Sequence, residues 1–247
     1  MLLVHHLHYT FDLHLPLPVA LIYNNNQTAT SAWYVPTVSI QPVQMGDWIG
    51  AVAAGASVNF NQISFNPHGN GTHTESVGHI TPHFLPLTDI YKQFHHLAQL
   101  ITVQPLQQEN DFVIDAAQLA AAFNPNFPCE ALLIRTLPND NYYKQHHNYS
   151  NQNPPYLSKD AAHWLVEHNI LHLLIDLPSV DKEKDDGELS AHKIFWDYPA
   201  LSRANCTITE LFFANDTIKD GFYLLNLQIA AFLNDACPSF PVLYAVC

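Results

Sequence analysis

The apolar residues of this 247-residue chain fall in short runs, and that pattern limits the fold more than any other feature. Glu130 to Thr136, Leu171 to Asp176, Cys206 to Phe213, Gly221 to Phe232 and Pro241 to Val246 are brief, apolar and suited to strands. Phe11 to Leu17 alternates as a strand with one apolar face, confined to an edge or an end by Pro16 and Pro18. Trp48 to Ala53 and Ser57 to Phe65 read as a Gly-separated hairpin that runs into a His-rich segment. Helical spacing is expected over Leu87 to Leu100, with Thr88 or Asp89 as its cap, over Asp115 to Phe123 and from Ala191 to Trp196. Ser158 to His168 is a further helix, in which Ser158 can cap the amide three positions on. Strands outnumber helices, and neither a linker nor a fixed-period repeat is evident. One β-rich α/β domain over residues 1–247 follows.

Hydrophobic residues make up 48% of the chain, yet no stretch approaches the roughly 20 apolar residues that a membrane-spanning helix requires. The opening residues lack the basic lead of a secretory signal, so a cytoplasmic protein is expected. The four scattered cysteines, Cys129, Cys206, Cys237 and Cys247, fit idle thiols in a reducing compartment. A formal charge of -13 would repel a phosphate backbone, which argues against a nucleic-acid partner.

Chemistry concentrates in His68-Gly-Asn-Gly-Thr-His73-Thr-Glu75-Ser-Val-Gly-His79. On an extended backbone His73 and Glu75, two apart, point to the same side. Imidazole with carboxylate suits Zn²⁺, Mn²⁺ or Fe²⁺, and Gly69, Gly71 and Gly78 would let the backbone turn sharply around an ion. Sixteen histidines also make chance clusters common, so spacing alone leaves a coincidental cluster and a metal site both open.

The segment Gly71-Thr-His-Thr-Glu-Ser-Val-Gly-His79 resembles the signature of the cyclase family, which includes bacterial kynurenine formamidases and isatin hydrolases. Further resemblances follow in order: Asp12-Leu-His-Leu-Pro-Leu17, Ile175-Asp-Leu-Pro-Ser-Val-Asp181, Ala191-His192, and Glu210 within Ile208-Thr-Glu-Leu-Phe. The resemblance implies a swivelling β/β/α fold and a divalent metal, Zn or Mn, as one or two ions. It implies one ion held by His68, His73 and Glu75, and a second by Glu75, His192 and Glu210, with His79 as the acid/base. Ser179 and Asp181 would orient the ligands from behind. The implied reaction is hydrolysis of a formamide or cyclic amide of a small molecule, as in an arylformamidase, by a homodimer or higher oligomer. A binding protein that keeps this scaffold without catalysis is the alternative. The chain departs from the signature where Gly69 takes the usual place of the first His, Glu75 replaces Asp, and an insertion near Phe195 to Leu201 stretches the interval from His192 to Glu210.

Other polar residues have plainer readings. His5, His6 and His8 fit the polar face of a terminal strand, and His95, His96, His146 and His147 fit the surface. His163 and Glu167 share a helix face, as solvated residues commonly do. Arg135 could bind a substrate carboxylate or pair with an internal acid, and Tyr156 lies in a loop expected near the pocket.

Overall fold

The computed structural model describes residues 3–7 and 9–247; His8 and the side chain of His5 lie outside the described residues. Seven strands form its central sheet: β1 (His73–Glu75), β2 (His95–Val103), β3 (Ala131–Thr136), β4 (His172–Ile175), β5 (Thr207–Glu210), β6 (Gly221–Ile229) and β7 (Ala236–Ala245). They hydrogen-bond in the order β6-β2-β3-β4-β5-β1-β7, and pairing of β6 with β7 closes the ring. From β2 through β5 the neighbours are parallel, while β1 runs antiparallel to β5 and β7. Leu17–Pro18 adds an outer strand to β7.

Alternation along each strand sorts side chains into two cores. Ala98, Leu100, Ala131, Leu133, Leu174, Leu225 and Leu243 fill the interior of the ring. Ile101, Leu132, Ile134, Leu173, Ile175 and Ile208 point outward, where α1 (Ala116–Ala122), α2 (Lys159–Glu167) and α3 (Ser190–Phe195) cover them with Leu119, Leu165 and Phe195. β3 and β4 are buried on both faces, which is why their sequences carry unbroken apolar runs. The sequence also sets the helix starts. Asp115 and Gln118 form a reciprocal capping box, and the Ser158 hydroxyl accepts from the Ala161 amide at 3.2 Å.

Several local expectations are corrected. Leu87 to Leu100 is not a helix: one turn spans Leu87–Ile90 after Pro86, and His95 onward becomes β2. The apolar spacing there is compatible with either period, and pairing with both β3 and β6 decides it. Trp48–Ile49 pairs with Gln44–Met45 and Asn61–Ser64 pairs with Ser39–Pro42, giving two nested ribbons in place of the single hairpin. Phe11 to Leu17 is interrupted, because Asp12 turns the chain by accepting from the His14 amide. His96 is buried, not on the surface, with its ring against His172.

Candidate metal centre

β1 lies between β5 and β7, so its three residues are fixed in register from both sides. His73 faces Glu210 across the ladder and Thr74 faces Thr209. Thr74 points into the ring, where its Oγ1 is 2.7 Å from that of Thr209, and this alternation turns His73 and Glu75 outward together. Both are completely buried beneath the helical layer.

The remaining members arrive from loops and from α3. His68 comes from a single turn, Pro67–Asn70, capped by the Asn66 side chain. That turn compensates for the one-residue offset: His68 Nδ1 lies 3.2 Å from Glu75 Oε2. A Cβ on Gly69 would come 2.5 Å from Val35 Cγ2 and 2.8 Å from the Ala32 carbonyl oxygen, so that position points into the wall. Gly69 lies outside the left-handed region and Gly71 is extended, with φ 168°, which corrects the expectation of sharp turns at these two positions. Gly71 is required by close approach, since a Cβ there would meet the Tyr23 ring at 2.6 Å.

His192, at the start of α3, contacts Glu75 Oε1 through Nε2 at 3.0 Å and Asp181 Oδ2 through Nδ1 at 2.6 Å. Asp181 also accepts from the amides of Ala191 and His192, and its own amide donates to Ser179 Oγ at 3.0 Å. Ser179 and Asp181 thus stand behind the His192 ring and fix which nitrogen faces the centre. Glu210 places Oε2 3.3 Å from His73 Nε2, and its Oε1 accepts from the Val180 amide at 3.2 Å. His79 follows β1 on a short 3-10 turn, with Nδ1 3.9 Å from Glu75 Oε2 and its ring 4.4 Å from that of His68.

Asp235, which carries no motif in the sequence, joins the cluster from the residue before β7. Its Oδ2 lies 3.2 Å from His68 Nε2 and 3.5 Å from His79 Nδ1. Only the adjacency of β7 to β1 brings it there.

Two residues expected near the substrate are engaged elsewhere. The Arg135 guanidinium donates to the carbonyls of Asn215 and Ile218 and pairs at 2.7 Å with Asp220, an acid that is itself exposed. Tyr156 donates its hydroxyl to Asp111 at 2.9 Å, beside Lys182.

The charges in the cluster are strongly interdependent. Burial works against ionised Glu75, yet His79, His192 and His68 hold it well below the usual carboxylate range. Burial also opposes a charged His68, but hydrogen bonds to Asp235 and Glu75 push it up to about 10. His192 is likewise pushed up to about 10 by Asp181 and Glu75 against its burial. Hydrogen bonds from His68 and His79 hold Asp235 below its ordinary range.

These residues suit a divalent cation. His73 Nδ1 lies 3.0 Å from the Gly71 carbonyl, to which it donates, leaving a lone pair on Nε2. That nitrogen is buried without a hydrogen bond and faces a carboxylate oxygen, an arrangement that calls for positive charge between them. Glu75 Oε2 is buried too, with the His68 ring nitrogen at 3.2 Å and that of His79 at 3.9 Å beside it. Two groups of donor atoms lie within 4.8 Å of one another: His73, Glu75 and Glu210, and His68, Glu75 and His79. Glu75 is common to both groups, Glu210 groups with His73 and His79 with His68, and His192 is in neither.

Residues 10–182 match the family Cyclase, described as "Putative cyclase". The chain belongs to the cyclase family. No curated protein matches the sequence. Among solved structures, one described as "predicted metal-dependent hydrolase from Bacillus stearothermophilus" is similar at 16% identity and a TM-score of 0.63, covering 93% of this chain and 98% of that one. Isatin hydrolase A from Labrenzia aggregata is similar at 12% identity and a TM-score of 0.64, covering 94% and 93%. Isatin hydrolase A from Ralstonia solanacearum is similar at 14% identity and a TM-score of 0.63, covering 93% and 92%. At these identities the likeness concerns the fold: a strand-rich α/β architecture built on a closed seven-stranded sheet. Among the described residues no helix is long and apolar enough to cross a membrane.

Proposed function

We propose that this cyclase-family protein is a metal-dependent amidohydrolase that opens a formamide or cyclic amide of a small molecule, with an arylformamidase or isatin-hydrolase-type reaction. The observation that carries this reading is the buried His73 Nε2, an acceptor without a hydrogen bond that faces Glu210 in a nest of histidines and acids. His68, His73, Glu75, His192 and Glu210 would hold Zn²⁺ or Mn²⁺, as one or two ions sharing Glu75. A cation held there would supply a water of near-neutral pKa and a Lewis acid for the substrate carbonyl.

The chain's own residues do the rest. Asp181 keeps the His192 Nε2 aimed at Glu75, and Ser179 keeps Asp181 in place. His79 is the most exposed member of the cluster and reaches Asp235, so it can take a proton from water and return it to the leaving amine nitrogen. Rings of Tyr23, Phe65 and Phe232 form a row joining the chain before His73 to the chain before Asp235, a wall suited to an aromatic substrate. The nested ribbons expose Met45, Ile49, Phe60 and Ile63, which supports a homodimer formed through this arm. The four cysteines are free, which supports a reducing compartment such as the cytoplasm.

Turnover of N-formylkynurenine, isatin and simple lactams by protein loaded with Zn²⁺ or Mn²⁺ tests the proposal. Hydrolysis lost in His79→Gln with metal content retained is the expected result. Full metal occupancy with no turnover of any of the three would favour the non-catalytic binding protein.

A further inference from the structure

Glu75 is the middle member of a row of side chains. Its Oε1 lies 3.0 Å from His192 Nε2, and its Oε2 lies 3.2 Å from His68 Nδ1. Each of these rings turns its other nitrogen to an aspartate: His192 Nδ1 to Asp181 Oδ2 at 2.6 Å, and His68 Nε2 to Asp235 Oδ2 at 3.2 Å. Asp235 therefore stands to His68 as Asp181 stands to His192.

The backbone fixes Asp235 independently of the two rings it meets. Its carbonyl accepts from the Ser76 amide at 2.9 Å, and the next residue, Ala236, pairs with Glu75 in the ladder. Ser76 begins the turn that carries His79: its Oγ accepts from the Gly78 amide at 3.1 Å and its carbonyl from the His79 amide at 3.0 Å. His79 thus hangs from a residue that Asp235 holds, and its Nδ1 returns to Asp235 Oδ2 at 3.5 Å. One carboxylate oxygen meets both rings, whose centres are 4.4 Å apart. Among the described residues Asp235 belongs to neither group of donor atoms around Glu75, which distinguishes it from a ligand.

We propose that Asp235 is a positioning residue whose one oxygen aims His68 Nδ1 at the metal centre and orients His79 for proton transfer. The proposal rests on the metal-dependent reading above. An imidazole that donates from Nε2 keeps its lone pair on Nδ1, and in His68 that is the nitrogen facing Glu75. In His79, donation from Nδ1 leaves the lone pair on Nε2, the nitrogen that would exchange a proton with water. His68 depends on this support because it reaches the centre from a single turn, Pro67–Asn70, and not from a strand.

Competition for Zn²⁺ between the full-length protein and a chromophoric chelator tests the placement. Asp235→Asn, which keeps the shape of the side chain, is expected to weaken Zn²⁺ binding roughly 10- to 100-fold. In a His68→Ala background, where His73, Glu75 and Glu210 remain, the same change should cost under about twofold, because the ring it acts through is gone. Imidazole ¹H–¹⁵N correlation spectra of the Zn²⁺-loaded protein should show His68 protonated on Nε2 and neutral His79 protonated on Nδ1. Asp235→Ala should let neutral His79 populate both tautomers. None of these readouts needs a substrate, so they are independent of whether any amide is hydrolysed. Equal Zn²⁺ affinity in wild type and Asp235→Asn would overturn the inference while leaving the metal centre standing. So would equal losses in both backgrounds, the result of direct ligation or of damage to the fold, and so would neutral His79 protonated on Nε2 in wild type. A wild type that binds no divalent ion would remove the metal-dependent reading itself, and the inference with it.

Discussion

Asp181 grips His192 twice, taking the ring Nδ1 at 2.6 Å and the backbone amide at 3.1 Å through the same oxygen. Ring and backbone are therefore oriented together, and Nε2 is left to face Glu75. Asp181→Asn keeps an oxygen for the amide but removes the charge behind the imidazole. Metal affinity is expected to fall 10- to 100-fold with the fold intact, read by competition against a chromophoric chelator.

Glu210 distinguishes one ion from two. It accepts from the Val180 amide and reaches His73, so Glu210→Gln retains the fold while weakening one donor group. If two ions bind, elemental analysis should show metal per chain falling from two toward one; if one ion bridges, stoichiometry stays unchanged. Glu75→Gln, which alters the residue common to both groups, should abolish binding in either case.

Gly69 should not accept the histidine that the family signature favours there. Its Cβ direction meets Val35 and the Ala32 carbonyl, so even Gly69→Ala is expected to destabilise by about 1–3 kcal/mol in urea unfolding. Gly69→His should fail to rescue the metal affinity lost in His68→Ala. Rescue would mean that the turn at Pro67–Asn70 does not deliver His68.

His172 predicts an acid limb in the stability curve. Burial first, and then the neighbouring His96, push its ring down from 6.5 to about 3. The unfolded chain therefore binds a proton between those values that the folded chain refuses, and stability is lost as pH falls through that window. His172→Gln should flatten the urea-midpoint profile between pH 6.5 and 4 by up to about 1.4 kcal/mol per pH unit relative to wild type. A wild-type slope unchanged in the variant would assign the acid limb to the carboxylates instead.

Much of this arrangement was legible along the chain. The buried runs at Glu130 to Thr136 and Leu171 to Asp176 read as strands because both faces are covered, and Ser158 and Asp115 marked helix starts by hydrogen bonds local to each segment. His73 and Glu75 were readable because two-residue spacing puts them on one side of any strand. Leu87 to Leu100 was not, since its apolar residues fit a helix until two flanking strands claim them. Asp235 and the interior role of His96 depend on contacts across more than 30 residues of sequence, which no local pattern records. Arg135 was ambiguous for the same reason: its partner Asp220 lies 85 residues away.

The alternation of β1 ties correct folding to chemical competence. Thr74 is clasped inside the ring by Thr209, so a slip of one position would rotate the threonine outward and bury the imidazole and carboxylate among leucines. A misaligned chain would then be blind to metal, and uptake of a cation would report that β1 has paired in frame.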